Sequence, residues 1–141
     1  MEFVDYSVDG AVRYPEMRME VIGALQALSD PDYQRMCWGR VEEGVEYFDD
    51  LTLSVHILYD DCEVLPDPQS AVPELVYPAE VQSLLELHAA FWPMLQELGE
   101  RPDADYLSDP RWPTVVRAAA AALVVFQSSD ESRAADDRVG D

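Results

Sequence analysis

The sequence predicts an all-α fold, a single-domain bundle of about five helices, with or without a short N-terminal strand. The chain has 141 residues, a length that suits one domain with a sizeable buried core. Hydrophobic residues make up 48% of it, which is ordinary for a globular protein. Apolar residues recur at three- and four-residue spacing, and Asp-Pro pairs mark two helix starts, as amphipathic helices require.

The N-terminal part of the chain leads into the first clear helix. Alternating apolar residues from Phe3 to Val8 indicate one short strand or an extended arm. Pro15 suits the first turn of a helix, because its missing N–H has no helical acceptor there. The apolar residues between Met17 and Leu28 share one helical face, and Arg18 is predicted on the opposite face.

Two more helix starts follow. Asp30 is predicted to cap a short helix from Pro31 to about Gly39. Its inward face is predicted to consist of Tyr33, Met36 and Cys37. Asp49 and Asp50 are predicted to cap a third helix over Leu51 to Asp61, because carboxylates accept the free N–H groups at a helix N-terminus.

Prolines interrupt the middle of the chain. The four prolines between Glu63 and Pro78 exclude a long helix and predict an ordered surface loop. The strongest helical pattern covers Ala79 to Leu98 and is expected to bend at Pro93. Gly99 follows it and is predicted to end that helix, since glycine favours the position after a helix C-terminus.

The C-terminal third is predicted as a linker, a last helix and a tail. Arg101 to Ser108 is read as the linker, and Asp109-Pro110 starts a helix that runs to about Gln127. Residues 128–141 are small, polar and charged, and we expect them to form a disordered acidic tail. The predicted organisation is therefore an acidic helical domain over residues 1–127, followed by this tail.

The strongest compositional signal is charge. The chain has 29 acidic and nine basic residues, all nine of them Arg, for a formal net charge of -20. The tail holds only five acids and two Arg, so the body itself is strongly acidic. Binding to nucleic acid or to an anionic membrane requires clustered cations, so both are excluded as partners. The charged partner that fits is a basic protein.

Other features argue against a membrane protein, a disulfide-stabilised protein and a metal-binding protein. Cys37 and Cys62 are too few for a disulfide scaffold or a zinc cage. The longest apolar run, Ala118 to Phe126, is far shorter than the roughly 20 residues of a membrane span. The acidic N-terminus lacks the apolar core of a secretory signal. We therefore expect a cytoplasmic protein with no cofactor and no metal.

The candidate binding surface is centred on two acidic doublets. Asp49-Asp50 is explained by helix capping, but Asp60-Asp61 lies at a predicted helix C-terminus, where the dipole disfavours carboxylates by roughly 0.3–1 kcal/mol. Contact with cationic groups of a partner, a solvated acidic turn and a divalent metal site are the alternatives, although the doublet spacing matches no calcium loop. The predicted partner-binding residues are Glu42, Glu43, Glu46, Tyr47, Asp60, Asp61, Glu63, Asp67 and Tyr77.

The two histidines carry a rival interpretation. His56 and His88 each have apolar neighbours on predicted helices, and no acid or amide is placed to orient either ring for catalysis. We therefore predict no catalytic residues and no enzyme. The rival is a catalytic or small-molecule-binding bundle with a polar pocket of His88, Cys37, Trp92 and Glu86. A third alternative is an adaptor for a neutral helix or peptide, which would expose an apolar groove.

Two stretches carry a family resemblance. They are ALQALSDPDYQRMCW, residues 24–38, and FDDLTLSVHILYDDCEVLPDP, residues 48–68. Together they resemble small, uncharacterised acidic proteins of actinobacteria, some of which are similar to the immunity proteins carried beside polymorphic toxins. The resemblance implies a non-enzymatic interaction protein, an immunity protein or antitoxin-like inhibitor that occludes a basic partner such as a toxin domain.

Overall fold

The computed structural model describes residues 12–38 and 51–139, which form α-helices, turns and connecting segments with no strand in this part of the chain. The all-α prediction is confirmed. The predicted N-terminal strand, the acidic segment 40–47 and the capping pair Asp49-Asp50 lie outside the described residues. The helices are α1 Pro15–Leu28, α2 Pro31–Cys37, α3 Leu51–Val55, α4 Val81–Leu98, α5 Asp103–Leu107 and α6 Trp112–Val139.

The junction between α1 and α2 forms as predicted, with one inward residue misplaced. The Asp30 carboxylate accepts the N–H of Tyr33 at 3.1 Å, which is the expected N-cap bond. Met36, predicted to face inward, is instead 66% exposed, and Gln34 is buried. The Gln34 amide donates to the carbonyls of Ala27 and Leu28, so this polar side chain satisfies the end of α1.

The third predicted helix is present but changes its winding midway. After α3, residues His56–Asp61 form a π-helical turn, and the N–H of Cys62 reaches the carbonyl of Ile57, five residues earlier, at 3.0 Å. Leu51, Leu58 and Cys62 are buried, and Val55 is half-buried against the same core. The π-turn is wider than an α-turn, and it holds Asp60 and Asp61.

The proline-rich segment contains no long helix, as predicted, but much of it packs against the core. Its apolar residues Val64, Leu65, Leu75 and Val76 are buried. Short 3₁₀ turns form at Pro68–Ala71 and Pro78–Glu80, and the second turn leads directly into α4. This segment is therefore part of the folded body and places Glu80 beneath the surface.

Helix α4 confirms the strongest helical pattern of the sequence, and its apolar residues divide between a buried and an exposed face. Leu84, Leu87, Phe91 and Met94 are buried, whereas Leu85 and Trp92 are 39% and 40% exposed. Pro93 lies inside the helix. Gly99 ends it at φ 55°, a left-handed conformation that favours glycine.

The C-terminal third departs most from prediction. The expected linker contains helix α5, whose Tyr106 hydroxyl donates to the carbonyl of Gly99 at 2.7 Å. The last helix, α6, runs past Gln127 to Val139, so its predicted end is wrong and residues 128–139 are helical instead of an irregular tail. One physical reason is the ion pair of Asp130 with Arg18 on α1, at 3.0 Å, which ties the extension to the body.

Helix α6 is the organising element of the core. It packs against α1 on one side and α4 on the other. Its buried residues are Trp112, Val115, Ala119, Ala122 and Phe126. The small alanines let neighbouring helices approach closely, so one continuous core joins the described elements.

Candidate functional site

A buried arginine, which the sequence predicted at the surface, organises one end of the bundle. Arg18 on α1 is 3% exposed, and its guanidinium forms two hydrogen bonds, of 2.8 and 2.6 Å, to the carboxylate of Glu80. Glu80 is fully buried. The guanidinium also donates to the carbonyl of Leu75 and pairs with Asp130. These contacts join α1, the proline-rich segment and α6.

The surroundings keep this arginine charged. Burial alone would lower the pKa of Arg18, but the hydrogen bonds and charges of Glu80 and Asp130 outweigh burial and raise it above its usual value. The guanidinium also lies over the rings of Tyr77 and Phe126, 4.6 and 4.5 Å from their centroids, a cation–π arrangement. Such a fully partnered buried pair defines a structural centre of the fold.

Tyr77, predicted to contact a partner, belongs to this buried centre. Its side chain is buried because its ring packs under the Arg18 guanidinium. The prediction of Tyr77 as a surface contact is therefore wrong in this structure. Tyr106, in the segment predicted as a linker, is buried in the same way.

Four of the predicted acidic contacts lie on the π-turn or in the segment that follows it. Asp60 and Asp61 are on the turn, Glu63 and Asp67 come after it, and all four are exposed. Asp60 lies 2.6 Å from Nδ1 of the exposed His56, one turn earlier. The remaining predicted contacts, Glu42, Glu43, Glu46 and Tyr47, lie outside the described residues.

The arginines whose side chains the structure describes are engaged elsewhere. Within residues 12–38 and 51–132, each arginine interacts with an acceptor of its own, and none pairs with Asp61, Glu63 or Asp67. These arginine pairs are Arg13–Glu74, Arg18–Glu80, Arg35–Asp32, Arg101–Asp105, Arg111–Asp109 and Arg117–Thr114. The arginines of that part of the chain therefore do not neutralise Asp61, Glu63 or Asp67, and these three carboxylates can bind external cations.

Two residues directly after the π-turn differ from their neighbours: Glu63 in its backbone conformation and Cys62 in its buried thiol. Glu63 adopts φ 52°, a left-handed conformation that costs a non-glycine residue roughly 1–2 kcal/mol. The adjacent Cys62 thiol is buried, and burial, with the charges of Glu20 and Asp61, raises its pKa to about 11. Cys62 is therefore a protonated, inert thiol at neutral pH, and the acids are the chemically accessible groups.

An aromatic cluster lies beside the acids. The rings of Tyr59, His88 and Trp92 lie within 5.5 to 5.8 Å of one another, centroid to centroid. The hydroxyl of Tyr59 is 2.9 Å from Nδ1 of His88. Sequence reasoning placed His88 and Trp92 in one candidate pocket but missed Tyr59. The spacing from His88 to Trp92, one helical turn, was the available signal.

This cluster is electrically neutral at pH 7. Burial lowers the pKa of His88 and raises the pKa of Tyr59 above its usual value. A neutral ring cluster next to carboxylates does not repel cations, and its faces attract them.

The rival pocket of His88, Cys37, Trp92 and Glu86 is only partly assembled. His88 and Trp92 are in contact, whereas the exposed Glu86 carboxylate accepts from Gln82 at 3.3 Å and Cys37 packs against the core from the end of α2. A shallow depression of about 640 Å³ lies instead between α1, α2 and α6, lined by Gly23, Gln26, Ala27, Ser29, Asp30, Tyr33 and Leu123.

Metal binding and membrane insertion are two other classes of function with recognisable structural requirements. Among the described residues, no group of three or more His, Cys, Asp or Glu side chains is placed to hold a metal ion. None of the helices in that part of the chain is both long and apolar enough to cross a bilayer.

Fold and surface together define a small all-α acidic domain with an exposed acidic π-turn flanked by aromatic rings. The chain belongs to the family described as Domain of unknown function (DUF7945), whose model matches residues 12–134. No curated protein and no solved structure matches the chain. The matched range covers all six helices up to the middle of the α6 extension.

Proposed function

We propose that this chain is a non-enzymatic, cytoplasmic protein-binding domain whose acidic surface engages a basic partner protein. The observation that carries the proposal is the exposed acidic π-turn. Asp61, Glu63 and Asp67 have no cationic partner within residues 12–38 and 51–132, while the arginines of that region bind acceptors of their own. Carboxylates held in this way can accept hydrogen bonds from Arg or Lys side chains of another protein.

The concrete form that we propose is an immunity protein or antitoxin-like inhibitor. The carboxylates of the π-turn, with the acids of residues 40–47, would cover cationic groups around the active site of a toxin. Where that toxin is a nuclease, the acids would occupy the positions of nucleic-acid phosphates. Charge complementarity of this kind accelerates association and selects against acidic partners, and it weakens as salt screens the charges.

The position of the acids supports a role outside folding. Asp61 lies at the end of a helical segment whose dipole favours cations there, and Glu63 occupies a left-handed conformation. Neither feature improves the stability of the chain. A binding role accounts for acids retained at positions that cost stability.

Affinity capture with a charge-reversal variant tests the proposal. Wild-type chain and an Asp60→Arg/Asp61→Arg variant are immobilised and exposed at low salt to a lysate of the source organism. The control is Glu100→Arg/Glu131→Arg, which changes the net charge equally at two exposed acids outside the π-turn. We expect wild type and control to retain the same basic protein and the π-turn variant to lose it.

Co-expression tests the inhibitory form of the proposal. The product of the open reading frame beside this gene is expressed alone, with wild-type chain, and with each double variant. We expect the wild type and the control to restore growth and Asp60→Arg/Asp61→Arg to fail. Recovery of no basic protein, or equal activity of the π-turn variant and the control, would count against the proposed function.

A further inference from the structure

One face of α4 exposes apolar side chains beside the π-turn. Leu85 and Trp92 are 39% and 40% exposed, and they are seven residues apart, so they lie on one side of the helix together with His88 and Ala89. Ala89 is also exposed and His88 is half-buried. Exposed large apolar side chains arranged on one face are typical of a contact surface.

Trp92 is the residue of this face best suited to binding. Of the three tryptophans in the chain, Trp38 and Trp112 are buried in edge-to-face contact with each other. Trp92 instead packs on Tyr59 and His88 at interplanar angles of 35° and 31°. The ring cluster fixes the indole from the protein side, so binding requires little further ordering of this side chain.

Charge around the face specifies what it can bind. Tyr59 is followed directly by Asp60 and Asp61, and Glu86 follows Leu85 on α4; all three acids are exposed. The rings between them carry no positive charge. A neutral ring surface, built on two elements that also carry exposed carboxylates, complements a planar cation with an apolar stem, which is the description of an arginine side chain.

We propose that Trp92, supported by Tyr59 and His88, is a stacking platform for an arginine side chain of the basic partner, whose guanidinium is shared with the carboxylates of the π-turn. The inference rests on the proposed function and names the side chain that the partner contributes. Arginine fits better than lysine because its guanidinium is planar, stacks on aromatic faces and is more weakly hydrated than an ammonium group.

Two peptides of equal charge separate stacking from simple charge attraction. Hexa-arginine and hexa-lysine amides are titrated at low salt into the full chain, and binding is followed by NMR at the backbone amides of the π-turn and at the indole N–H of Trp92. We expect hexa-arginine to bind about two- to fivefold more tightly than hexa-lysine, the range of a cation–π contact at an exposed site. The Trp92 indole signal is expected to shift with hexa-arginine.

Matched variants assign the preference to Trp92. Trp92→Ala should reduce the ratio of the two affinities to one, and Trp92→Leu, which keeps an apolar side chain in place if alanine disturbs the fold, should do the same. Val124→Ala, at an exposed apolar position on α6, should leave the ratio unchanged. Asp60→Asn/Asp61→Asn should weaken both peptides alike and keep the arginine preference.

Each contrary result has a separate meaning. Equal affinities of the two peptides for wild type, an unshifted Trp92 signal, or a preference that survives both Trp92 variants would overturn the stacking platform. If neutralising Asp60 and Asp61 changes neither affinity, the acidic surface of the proposed function fails instead. Absence of binding by either peptide overturns both.

Discussion

At the scale of the single residue, Arg18 shows how a charged side chain can be misread from its neighbours. Its position on α1 indicates a solvent-facing residue, yet it is buried against Glu80 and the rings of Tyr77 and Phe126. A buried ion pair contributes little net stability compared with an apolar pair of the same size, but removal of one partner leaves an uncompensated charge. Arg18 and Glu80 are therefore expected to tolerate substitution poorly when changed singly.

Replacing Glu80 tests this expectation. Glu80→Gln keeps the shape and the acceptor for the N–H of Tyr77 but removes the charge that neutralises Arg18, so it should lower the free energy of unfolding by about 3 kcal/mol. The control Glu74→Gln removes the exposed pair with Arg13 and should cost less than about 1 kcal/mol. Urea denaturation measures both, and similar losses in the two variants would contradict the structural role of the buried pair.

Asp109 provides a pH-dependent test at the start of α6. Its carboxylate accepts hydrogen bonds from the Arg111 side chain and backbone, which lower its pKa from 3.8 to about 2. Because the folded-state pKa is lowered, this contribution to stability is complete above pH 3.8 and disappears as the pH falls towards 2. We expect Asp109→Asn to be less stable than wild type at pH 7.

The pH profile supplies the control for Asp109. In thermal melts at a series of pH values, the difference between wild type and Asp109→Asn should be constant from pH 7 to about 4 and should shrink between pH 4 and 2. A difference that stays the same down to pH 2 would show that the carboxylate charge does not contribute through Arg111.

At the scale of the element, the sequence predicts where helices begin and end better than it predicts the winding of their interiors. The Asp30 cap, the proline at the start of α1 and the Gly99 terminus were all readable, because each depends on residues adjacent in sequence. The π-turn at His56–Asp61 and the short helix α5 were not. Winding and short helices depend on which neighbours pack against them, and no local pattern encodes that.

Two glycines in different conformations give a matched pair of substitutions. Gly99 adopts φ 55°, and Gly23 lies inside α1; a Cβ added at either position meets no atom within 4 Å. Gly99→Ala should lower the free energy of unfolding by about 1 kcal/mol because alanine is strained at positive φ. Gly23→Ala should raise it by about 0.5–1 kcal/mol because alanine favours the helix. Denaturant titration of both variants measures these changes, and the same sign for both would contradict the assigned backbone conformations.

At the scale of the whole molecule, the net charge of -20 acts on stability and on binding in opposite directions. Self-repulsion destabilises a compact chain that is far from neutrality, and salt screens it. The same screening weakens attraction to a basic partner. The acidic excess therefore suits a protein that is stabilised when a cationic surface covers it.

A salt series checks this account. Raising NaCl from 20 to 300 mM should raise the melting temperature of the free chain and reduce its affinity for hexa-arginine. The Glu100→Gln/Glu131→Gln variant, with two fewer charges outside the π-turn, should show a smaller rise in melting temperature. A melting temperature that falls with added salt would mean that the ion pairs within the chain outweigh its self-repulsion.

The candidate site combines features that the sequence predicts with features that only the tertiary structure shows. Exposure of Asp60, Asp61, Glu63 and Asp67 was predictable, because acidic side chains are almost never fully buried unless they are paired with a cation. Burial of Tyr77 and the assembly of Tyr59 with His88 and Trp92 were not predictable, since an aromatic residue in a loop packs wherever the tertiary structure leaves space.

The sequence by itself determined the all-α class, four of the helix positions and the acidic character of the surface, because periodicity, capping and composition are local or additive properties. Only the tertiary structure decided that Arg18 meets Glu80, 62 residues away, and that Tyr59 meets His88, 29 residues away. These contacts depend on how the helices pack, and the packing energy that selects them is shared among many side chains across the whole core.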